Sequence, residues 1–403
     1  MTSSPLVMFN PFLPSFLADP YPAYAALRAQ DPVHRSLALQ AWVVTSYAEA
    51  DAVLRDPATY SSELGTATSQ LGKALNQQRS ASPLGHVMTV LNSDPPTHTR
   101  LRGLVNRAFT PRTVEALRSR IEGVTADLLD VVPAGQPFDL MSALAQPLPV
   151  IVIAELLGIP PADRGRFKAW SDDIAATTRP MAGQAAIDGA RRATSELIAY
   201  LEPIVARLRA EPQEDLLSAL VQVEDDGERL SHEELLAFAI LLLVAGNETT
   251  TNLLGNAVQA LLRYPAQLEA LRANPELLPA TIEEALRFDG PVQALLRFAR
   301  QPGVLGGHQI EAGDTVMVLI GAANRDPARF TQPEAFDITA ARERHLAFGI
   351  GPHFCLGAPL ARLEGEVALR GLLARYPELR AGGEPRQGGT FTLRGLDALP
   401  LAG

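Results

Sequence analysis

The sequence predicts a mainly α-helical protein with small β-sheets. Most of the chain carries Ala/Leu/Arg/Glu-rich segments with apolar residues at helical spacing. Clusters of Pro, Gly and Asp separate these segments, and the strand-like runs between them are short. No Gly/Ser-rich linker divides the chain. We therefore expect a single domain over residues 1–403, although the length alone suggests two or three.

Helices and strands can be placed along the chain from these patterns. The strongest helical segments, with turn-forming residues at their ends, are residues 21–30, 114–131, 161–175, 189–210, 231–262 and 279–288. Another helix is predicted for residues 358–369, because Pro359 is tolerated in a first turn. Strand-like patterns cover residues 41–45, 309–310, 315–320 and 391–393.

Composition excludes several classes of protein. Apolar residues make up 47% of the chain and charged residues 20%, as in a globular protein. The formal charge of −10 disfavours binding to nucleic acid. Cys355 is the one cysteine, so the chain has neither an internal disulfide nor a Cys-rich zinc site.

Targeting signals are not evident in the sequence. Residues 1–16 have no basic region, and three prolines interrupt their apolar residues. The apolar run at 235–245 is shorter than the roughly 20 residues that span a bilayer. We therefore expect a cytoplasmic protein without a membrane anchor.

The segment 231–262 predicts a long, buried helix. Ser231 and Glu234 form a capping box at its start. About 30 residues at 1.5 Å each give a length of roughly 45 Å. Residues 235–245 are apolar on nearly all sides, which places this helix in the middle of the protein.

The stretch 245–251 of that helix breaks the rules of a buried helix. Gly246 lowers helix propensity, a Glu248 carboxylate is costly to bury, and Thr249 can bond back to the helix backbone. Such departures mark a candidate functional site. The alternative interpretation is a kink with a solvated polar end.

Cys355 follows a glycine-rich turn and precedes a predicted helix. Backbone N–H groups at a helix N-terminus stabilise a thiolate. A buried inert cysteine, a nucleophile with His353 as its base, and a single thiolate ligand to haem iron are all compatible with one cysteine. A dinucleotide-binding loop is excluded, because Phe354 stands where that motif needs glycine.

Three motifs, in this order, are similar to those of the cytochrome P-450 superfamily. The stretch 245–250 resembles its oxygen-activation segment, and Glu284 with Arg287 resembles its E-x-x-R pair. The pattern F-G-x-G-x-H-x-C-x-G resembles its haem-thiolate loop, at Phe348, Gly349, Gly351, His353, Cys355 and Gly357. The resemblance extends over essentially the whole chain and is strongest to soluble bacterial members. It implies a haem between the long central helix and the helix after Cys355.

The resemblance also implies roles for individual residues. Cys355 would ligate the iron of haem b, and Glu248 with Thr249 would deliver protons to iron-bound O2. Glu284 and Arg287 would form a structural pair. The remaining cofactor-binding residues, four of them partners of the haem propionates, would be His98, Arg102, Arg297 and His353, together with Ala245, Gly246, Phe348, Gly349 and Gly357.

The same resemblance places a mostly apolar substrate pocket opposite the iron. Its expected lining is Val87, Leu91, Leu241, Val244, Gln293, Leu295, Thr392 and Leu393. Gln293 and Thr392 are candidate polar anchors. An apolar, medium-to-large substrate is expected, of terpenoid, carotenoid, fatty-acid or polyketide-like chemistry.

One position departs from the family pattern. Related proteins often carry an arginine four residues after the phenylalanine of F-D-x-x-R, where it braces the E-x-x-R pair. Ala340 occupies that position here. Arg342 or Arg344 could substitute for it through a shifted loop.

The predicted activity is monooxygenation of an organic substrate. Electrons from NAD(P)H would arrive through a ferredoxin reductase and an acidic ferredoxin docking near Arg344 and Arg362, on a monomeric enzyme. The alternatives are a peroxide-driven peroxygenase, a non-catalytic haem sensor and a haem-free cysteine hydrolase. The pair Glu248–Thr249 favours the reductase-fed enzyme, because the other classes do not need proton delivery.

Overall fold

The computed structural model describes residues 9–133, 135–178, 183–224, 227–341 and 343–403. Over these ranges the chain forms sixteen α-helices and one π-helical segment, Met141–Ala145. The helices are α1 Pro14–Ala18, α2 Tyr21–Gln30, α3 Tyr47–Arg55, α4 Gln70–Ser80, α5 Thr97–Ala108, α6 Pro111–Glu115, α7 Arg118–Asp130, α8 Pro147–Leu156, α9 Arg164–Ala175, α10 Gln184–Ala210, α11 Leu216–Gln222, α12 His232–Arg263, α13 Pro265–Ala273, α14 Leu278–Asp289, α15 Ile320–Ala323 and α16 Ala358–Arg375.

The strands of the described chain are short, as the sequence predicts. They are β1 Val33–Ser36, β2 Ala41–Val44, β3 Tyr60–Ser61, β4 Phe138–Asp139, β5 Ala294–Ala299, β6 Gly303–Leu305, β7 His308–Ile310, β8 Thr315–Leu319, β9 Arg380–Ala381, β10 Arg386–Gly389, β11 Arg394–Ala398 and β12 Pro400–Ala402. The largest sheet has the order β1-β2-β8-β5-β3, in which β2 and β8 run parallel and the other pairs antiparallel. Three smaller sheets pair β10 with β11, β4 and β9 with β12, and β6 with β7.

The central helix α12 organises the largest hydrophobic core. It packs against α8, α14, α16 and β11. Its Ser231 capping box forms as predicted: the Glu234 amide donates to the Ser231 hydroxyl, and the Ser231 amide donates to the Glu234 carboxylate. By length and composition alone α12 could cross a membrane, but half of its apolar window is buried inside the protein, as in a core helix.

Most sequence-based elements are confirmed to within a few residues, with two differences. The predicted helix 114–131 is two helices, because the chain leaves helical bonding between Glu115 and Arg118. The predicted strand 391–393 is wrong. The Thr390 hydroxyl accepts the amides of Thr392 and Leu393 and forms a turn, so the strand β11 begins only after it.

A buried carboxyl on α16 carries a stability cost. Glu364 is 1% exposed, and its Oε2 has no hydrogen-bond partner among the described residues. Burial raises the pKa of Glu364 from 4.5 to about 8. The folded protein therefore keeps this carboxyl protonated at pH values where the unfolded chain ionises it.

The free energy of unfolding should consequently fall as pH rises from 4.5 towards 8. The slope contributed by Glu364 is about 1.4 kcal/mol per pH unit between its unfolded and folded pKa values. Glu364→Gln, which stays neutral, should flatten this decline in urea unfolding followed by circular dichroism at pH 5.5 and 8.5. Glu366→Gln, on the same helix but paired with Arg118 at 3.5 Å, is the control that should keep the parent profile. Equal declines in parent and Glu364→Gln would contradict the assignment.

Candidate functional site

The turn before Cys355 depends on glycine at two positions. Gly349 and Gly351 have φ values of +67° and +74°, in the left-handed region that disfavours other residues. A Cβ at Gly351 would lie 2.7 Å from the Leu54 carbonyl oxygen. The turn closes when the Cys355 amide donates to the Phe348 carbonyl at 2.9 Å. The two glycines therefore fix the position of Cys355 against the core.

The Cys355 sulfur lies at the start of α16. Burial raises the pKa of its thiol, while the backbone amides of Gly357 and Ala358 and the charges of Arg102 and Arg362 act to lower it. The residue still has an exposed surface. Because the thiol is desolvated although the residue has exposed surface, we infer that the sulfur borders an enclosed space rather than bulk solvent. Amides and cations around that space are suited to stabilise a thiolate.

One face of α12 also borders interior space. Ala245 is exposed although it lies in the middle of this core helix, and Leu241, Val244 and Glu248 beside it are half-buried. Their spacing places them on one side of the helix. The Thr249 hydroxyl on this side donates to the Ala245 carbonyl at 2.6 Å, which leaves its oxygen free to accept a hydrogen bond.

The opposite face of α12 is anchored to its neighbours. The Asn247 amide donates to the buried Ser171 hydroxyl on α9 at 2.7 Å. The Thr251 hydroxyl donates to the Ala145 carbonyl at 3.0 Å. A Cβ at Gly246 would overlap Ile153 of α8, so glycine here permits close packing of the two helices. The sequence shows Asn247 and Gly246 within the motif, but their partners lie too far along the chain to predict.

Four basic side chains converge beside the Cys355 turn. His98 and Arg102 lie on α5, and Arg297 lies on β5 with Leu295 on the same strand face. The rings of His98 and His353 have centroids 4.2 Å apart. The structure thus brings together the residues that the sequence separates by more than 250 positions.

The pKa values of this group reflect burial and mutual repulsion. Burial lowers the pKa of Arg297 to about 10, and Asp94 opposes that shift. Burial, with the charge of Arg297, lowers the pKa of His353 to about 4. Burial and Arg102 also lower the pKa of His98. Asp94 itself accepts hydrogen bonds from Ser61 and Arg300, so its charge is shared.

This group fits the two carboxylates of a haem. The His98 Nε2 is buried without a hydrogen-bond partner in the described chain. Among the described residues, the Arg297 guanidinium donates to the Leu296 carbonyl at 2.8 Å. Buried donors without partners are costly, and an anion offsets that cost. The chemistry of these donors therefore suits propionates, with the Cys355 sulfur placed for the iron.

The pair Glu284–Arg287 forms as expected and lies at the base of the site. Both of its hydrogen bonds, at 2.7 and 2.8 Å, are buried, and the side chains are 1–2% exposed. Arg287 also donates to the carbonyls of Asn324, Pro333 and Ala335. One guanidinium thus fixes α14 to the irregular segment that leads to the Cys355 turn.

Known proteins match both this sequence and this geometry. The cytochrome P450 family model matches residues 188–379. The chain is 45% identical over 410 residues to the cytochrome P450 monooxygenase PikC of Streptomyces venezuelae, with 99% of this chain and 94% of PikC aligned. It is 42% identical over 401 residues to 6-deoxyerythronolide B hydroxylase of Saccharopolyspora erythraea, with 96% of each aligned. Its structure superposes on that of cytochrome P450 PksS of Bacillus subtilis with a TM-score of 0.89 at 37% identity, over 98% and 99% of the two chains.

The chain belongs to the cytochrome P450 family.

This membership confirms the predicted fold class and enzyme class. A cytochrome P450 is an oxidoreductase with a haem-thiolate cofactor that uses O2, and the relatives are monooxygenases and hydroxylases. No cluster of three or more His, Cys, Asp or Glu side chains in the described ranges is arranged to hold a metal ion. A single cysteine thiolate is consistent with that finding.

The predicted substrate residues of this cytochrome P450 differ in exposure. Val87 is 8% exposed, Leu91 is 63% exposed, and Leu295, Thr392 and Leu393 are half-buried. Thr392 and Leu393 lie beside residues 292–293 through a backbone bond and a β-bridge. The Thr392 hydroxyl is bonded to that of Thr390 at 2.9 Å.

Gln293 is not placed as a polar anchor for substrate. Its side chain is 1% exposed, and its amide donates to the Gly290 carbonyl at 2.8 Å and to the Tyr21 hydroxyl at 3.3 Å. The Tyr24 hydroxyl donates to its oxygen at 3.3 Å. The Gln293 amide is hydrogen-bonded to Tyr21 and Tyr24 of α2, and the sequence around Gln293 does not reveal these distant partners.

The bracing of the E-x-x-R pair by Arg342 or Arg344 stays a prediction. Arg344 lies over the Phe354 ring at 5.1 Å, and Arg342 lies outside the described residues. Arg362, expected as a docking cation, forms a two-bond ion pair with Glu283 at 2.6 and 3.0 Å. Its guanidinium is therefore bound within the chain by Glu283, a partner that the sequence does not reveal.

Proposed function

We propose that this cytochrome P450 inserts one oxygen atom from O2 into a C–H or C=C bond of a large apolar substrate, and that the Cys355 thiolate would hold the haem iron. The observation that supports this best is the Cys355 turn, because its sulfur faces interior space beside a buried basic group. In this proposal His98, Arg102, Arg297 and His353 bind the propionates. The bound haem supplies the oxygen activation.

The chain's own residues would control water and protons around that reaction. Ala245, having only a methyl group, leaves room beside α12 for O2. The Thr249 hydroxyl, held by the Ala245 carbonyl at 2.6 Å, accepts a hydrogen bond from water, and Glu248 on the same face exchanges protons with solvent. An acid and an alcohol at adjacent positions support the reductase-fed enzyme over a peroxygenase or a sensor.

Electron supply and cellular location complete the proposal. We infer that NAD(P)H electrons reach the enzyme through a ferredoxin reductase and a ferredoxin, in the cytoplasm, and that residues 1–403 act as one domain. Among the arginines near the Cys355 turn, Arg344 is exposed and has no ion pair with other described residues. It is a better candidate than Arg362 for contact with an acidic ferredoxin.

The substrate is proposed from the relatives and the pocket. One relative is named for hydroxylation of 6-deoxyerythronolide B, and the PksS structure is assigned to a polyketide synthase pathway. Leu241, Val244 and Leu295 give the proposed pocket apolar walls, and Gln293 leaves it without an amide. A polyketide-like macrolactone fits these walls better than a substrate that needs several polar anchors.

The ligation by Cys355 can be tested with one spectrum. The reduced, CO-bound protein should show the red-shifted Soret band of thiolate ligation. Cys355→His should retain haem through the basic group but lose that shift, because imidazole donates less charge than thiolate. A parent protein that binds haem without the shifted band would refute ligation by Cys355, and one that binds no haem would favour the cysteine hydrolase.

Thr249→Ala should uncouple electron use from product formation. Without the hydroxyl, water is not held for proton delivery, so more of the NAD(P)H consumed should appear as peroxide, by about tenfold or more relative to product. Thr249→Ser restores the hydroxyl and is the matched control. The measurement is peroxide and product per NAD(P)H oxidised. Unchanged coupling in Thr249→Ala would remove this residue from the proton path.

The substrate class can be tested by spin-state titration. 6-Deoxyerythronolide B should shift the Soret band and bind more tightly than palmitate or testosterone. Leu241→Phe narrows the pocket and should weaken macrolactone binding by about tenfold, roughly 1.4 kcal/mol, while leaving imidazole binding nearly unchanged. Tighter binding of palmitate than of the macrolactone would favour a fatty-acid substrate instead.

A further inference from the structure

A cleft of about 580 Å³ opens beside the Cys355 turn, between α14, the segment before the turn and α16. Its walls include Glu283, His345, Arg362, Phe348 and Phe354. These residues join the surface to the turn that holds Cys355. The central group of the cleft is the Glu283 carboxylate.

Glu283 binds two partners at once. It accepts two hydrogen bonds from Arg362, at 2.6 and 3.0 Å, and lies 3.2 Å from the His345 Nε2. The His345 Nδ1 accepts the Ala347 amide at 3.2 Å, which assigns the proton to Nε2 and makes it the donor to Glu283. Although burial opposes ionisation, His345 and Arg362 lower the pKa of Glu283 to about 2. The carboxylate is therefore charged at every working pH.

Arg362 connects this carboxylate to the thiol. Its guanidinium lies over the Phe348 ring, 4.5 Å from the centroid. The carbonyl of Phe348 accepts the Cys355 amide at 2.9 Å. The charge of Arg362 also acts on the Cys355 thiol, against the effect of burial. The positive charge of Arg362, held over the Phe348 ring, lowers the energy of electrons on the Cys355 sulfur.

We propose that Glu283 is a positioning residue that sets the reduction potential of the haem, by holding Arg362 against Phe348 and offsetting its charge. This inference rests on the proposed ligation by Cys355. Reduction adds one electron to the haem and breaks no bond of the chain, so a nearby cation favours the reduced form and a nearby anion opposes it.

The neighbouring carboxylates do not fill this role. Glu284 also borders this cleft, but it is buried and pairs with Arg287 at 2.7 and 2.8 Å. Glu343 lines the same cleft but is 61% exposed and pairs with Arg329 at 2.9 Å. Glu343 is more exposed than Glu283, whose side chain is 43% exposed, and it does not pair with Arg362, so its effect on the sulfur should be smaller.

Potentiometric titration of the haem-containing protein with redox mediators tests the proposal. Glu283→Gln should make the potential more positive, and Arg362→Gln should make it more negative. Each substitution should change the one-electron reduction equilibrium by at least threefold. This corresponds to about 28 mV, because a tenfold change in a one-electron equilibrium is about 59 mV. The double variant should return close to the parent potential, because both members of the pair are then neutral.

Two controls separate this role from a structural one. Glu343→Gln removes a carboxylate from the same cleft and should leave the potential unchanged. Glu283→Asp keeps the charge and should restore most of the parent value even if Glu283→Gln folds poorly. Shifts of the same sign in Glu283→Gln and Arg362→Gln, or no shift in either, would overturn the proposal. A wrong ligand assignment is distinguishable, since the parent itself would then lack the red-shifted CO band.

Discussion

The buried positive charge beside the Cys355 turn is the constraint on which the rest of the site depends. Arg297 and His98 are less than 10% exposed, and desolvation lowers the pKa of both. Asp94 is the carboxylate that acts on them, and it is already shared with Arg300. A fold that collects such groups needs an anion that the chain itself supplies only in part. The propionates of the proposed haem meet that need, so cofactor binding and folding of this region are coupled.

Adjacent carboxylates on α14 serve two different purposes. Glu284 is buried and directs Arg287 to three backbone carbonyls, which holds the irregular segment before the Cys355 turn. Glu283 lies on the surface side and binds Arg362 and His345. These two neighbouring residues of α14 therefore act on the Cys355 turn in different ways. Glu284 helps to fix its position through Arg287, and in our proposal Glu283 adjusts the charge beside it through Arg362. The E-x-x-R pattern in the sequence reveals only the first of these functions.

Sequence reasoning succeeded where the physics is local. The glycines at 349 and 351, the Ser231 capping box and the helix after Cys355 each follow from residues within a few positions of one another. It failed where a side chain is bound by a distant segment. The Gln293 amide donates to the Tyr21 hydroxyl, 272 positions away, and the Arg362 guanidinium donates to the Glu283 carboxylate, 79 positions away. A single sequence contains no periodicity that reports such pairs, so it does not reveal that Gln293 and Arg362 are bound within the chain.

The two faces of α12 show how one helix can be both fixed and reactive. Gly246, Asn247 and Thr251 tie its back to α8, α9 and the Ala145 carbonyl. Ala245, Glu248 and Thr249 occupy the front, where the helix borders interior space. Residues that depart from helix propensity in this stretch therefore serve packing on one face and proposed proton transfer on the other. Because Asn247 directly precedes Glu248, a displacement of α9 at Ser171 would move the acid as well.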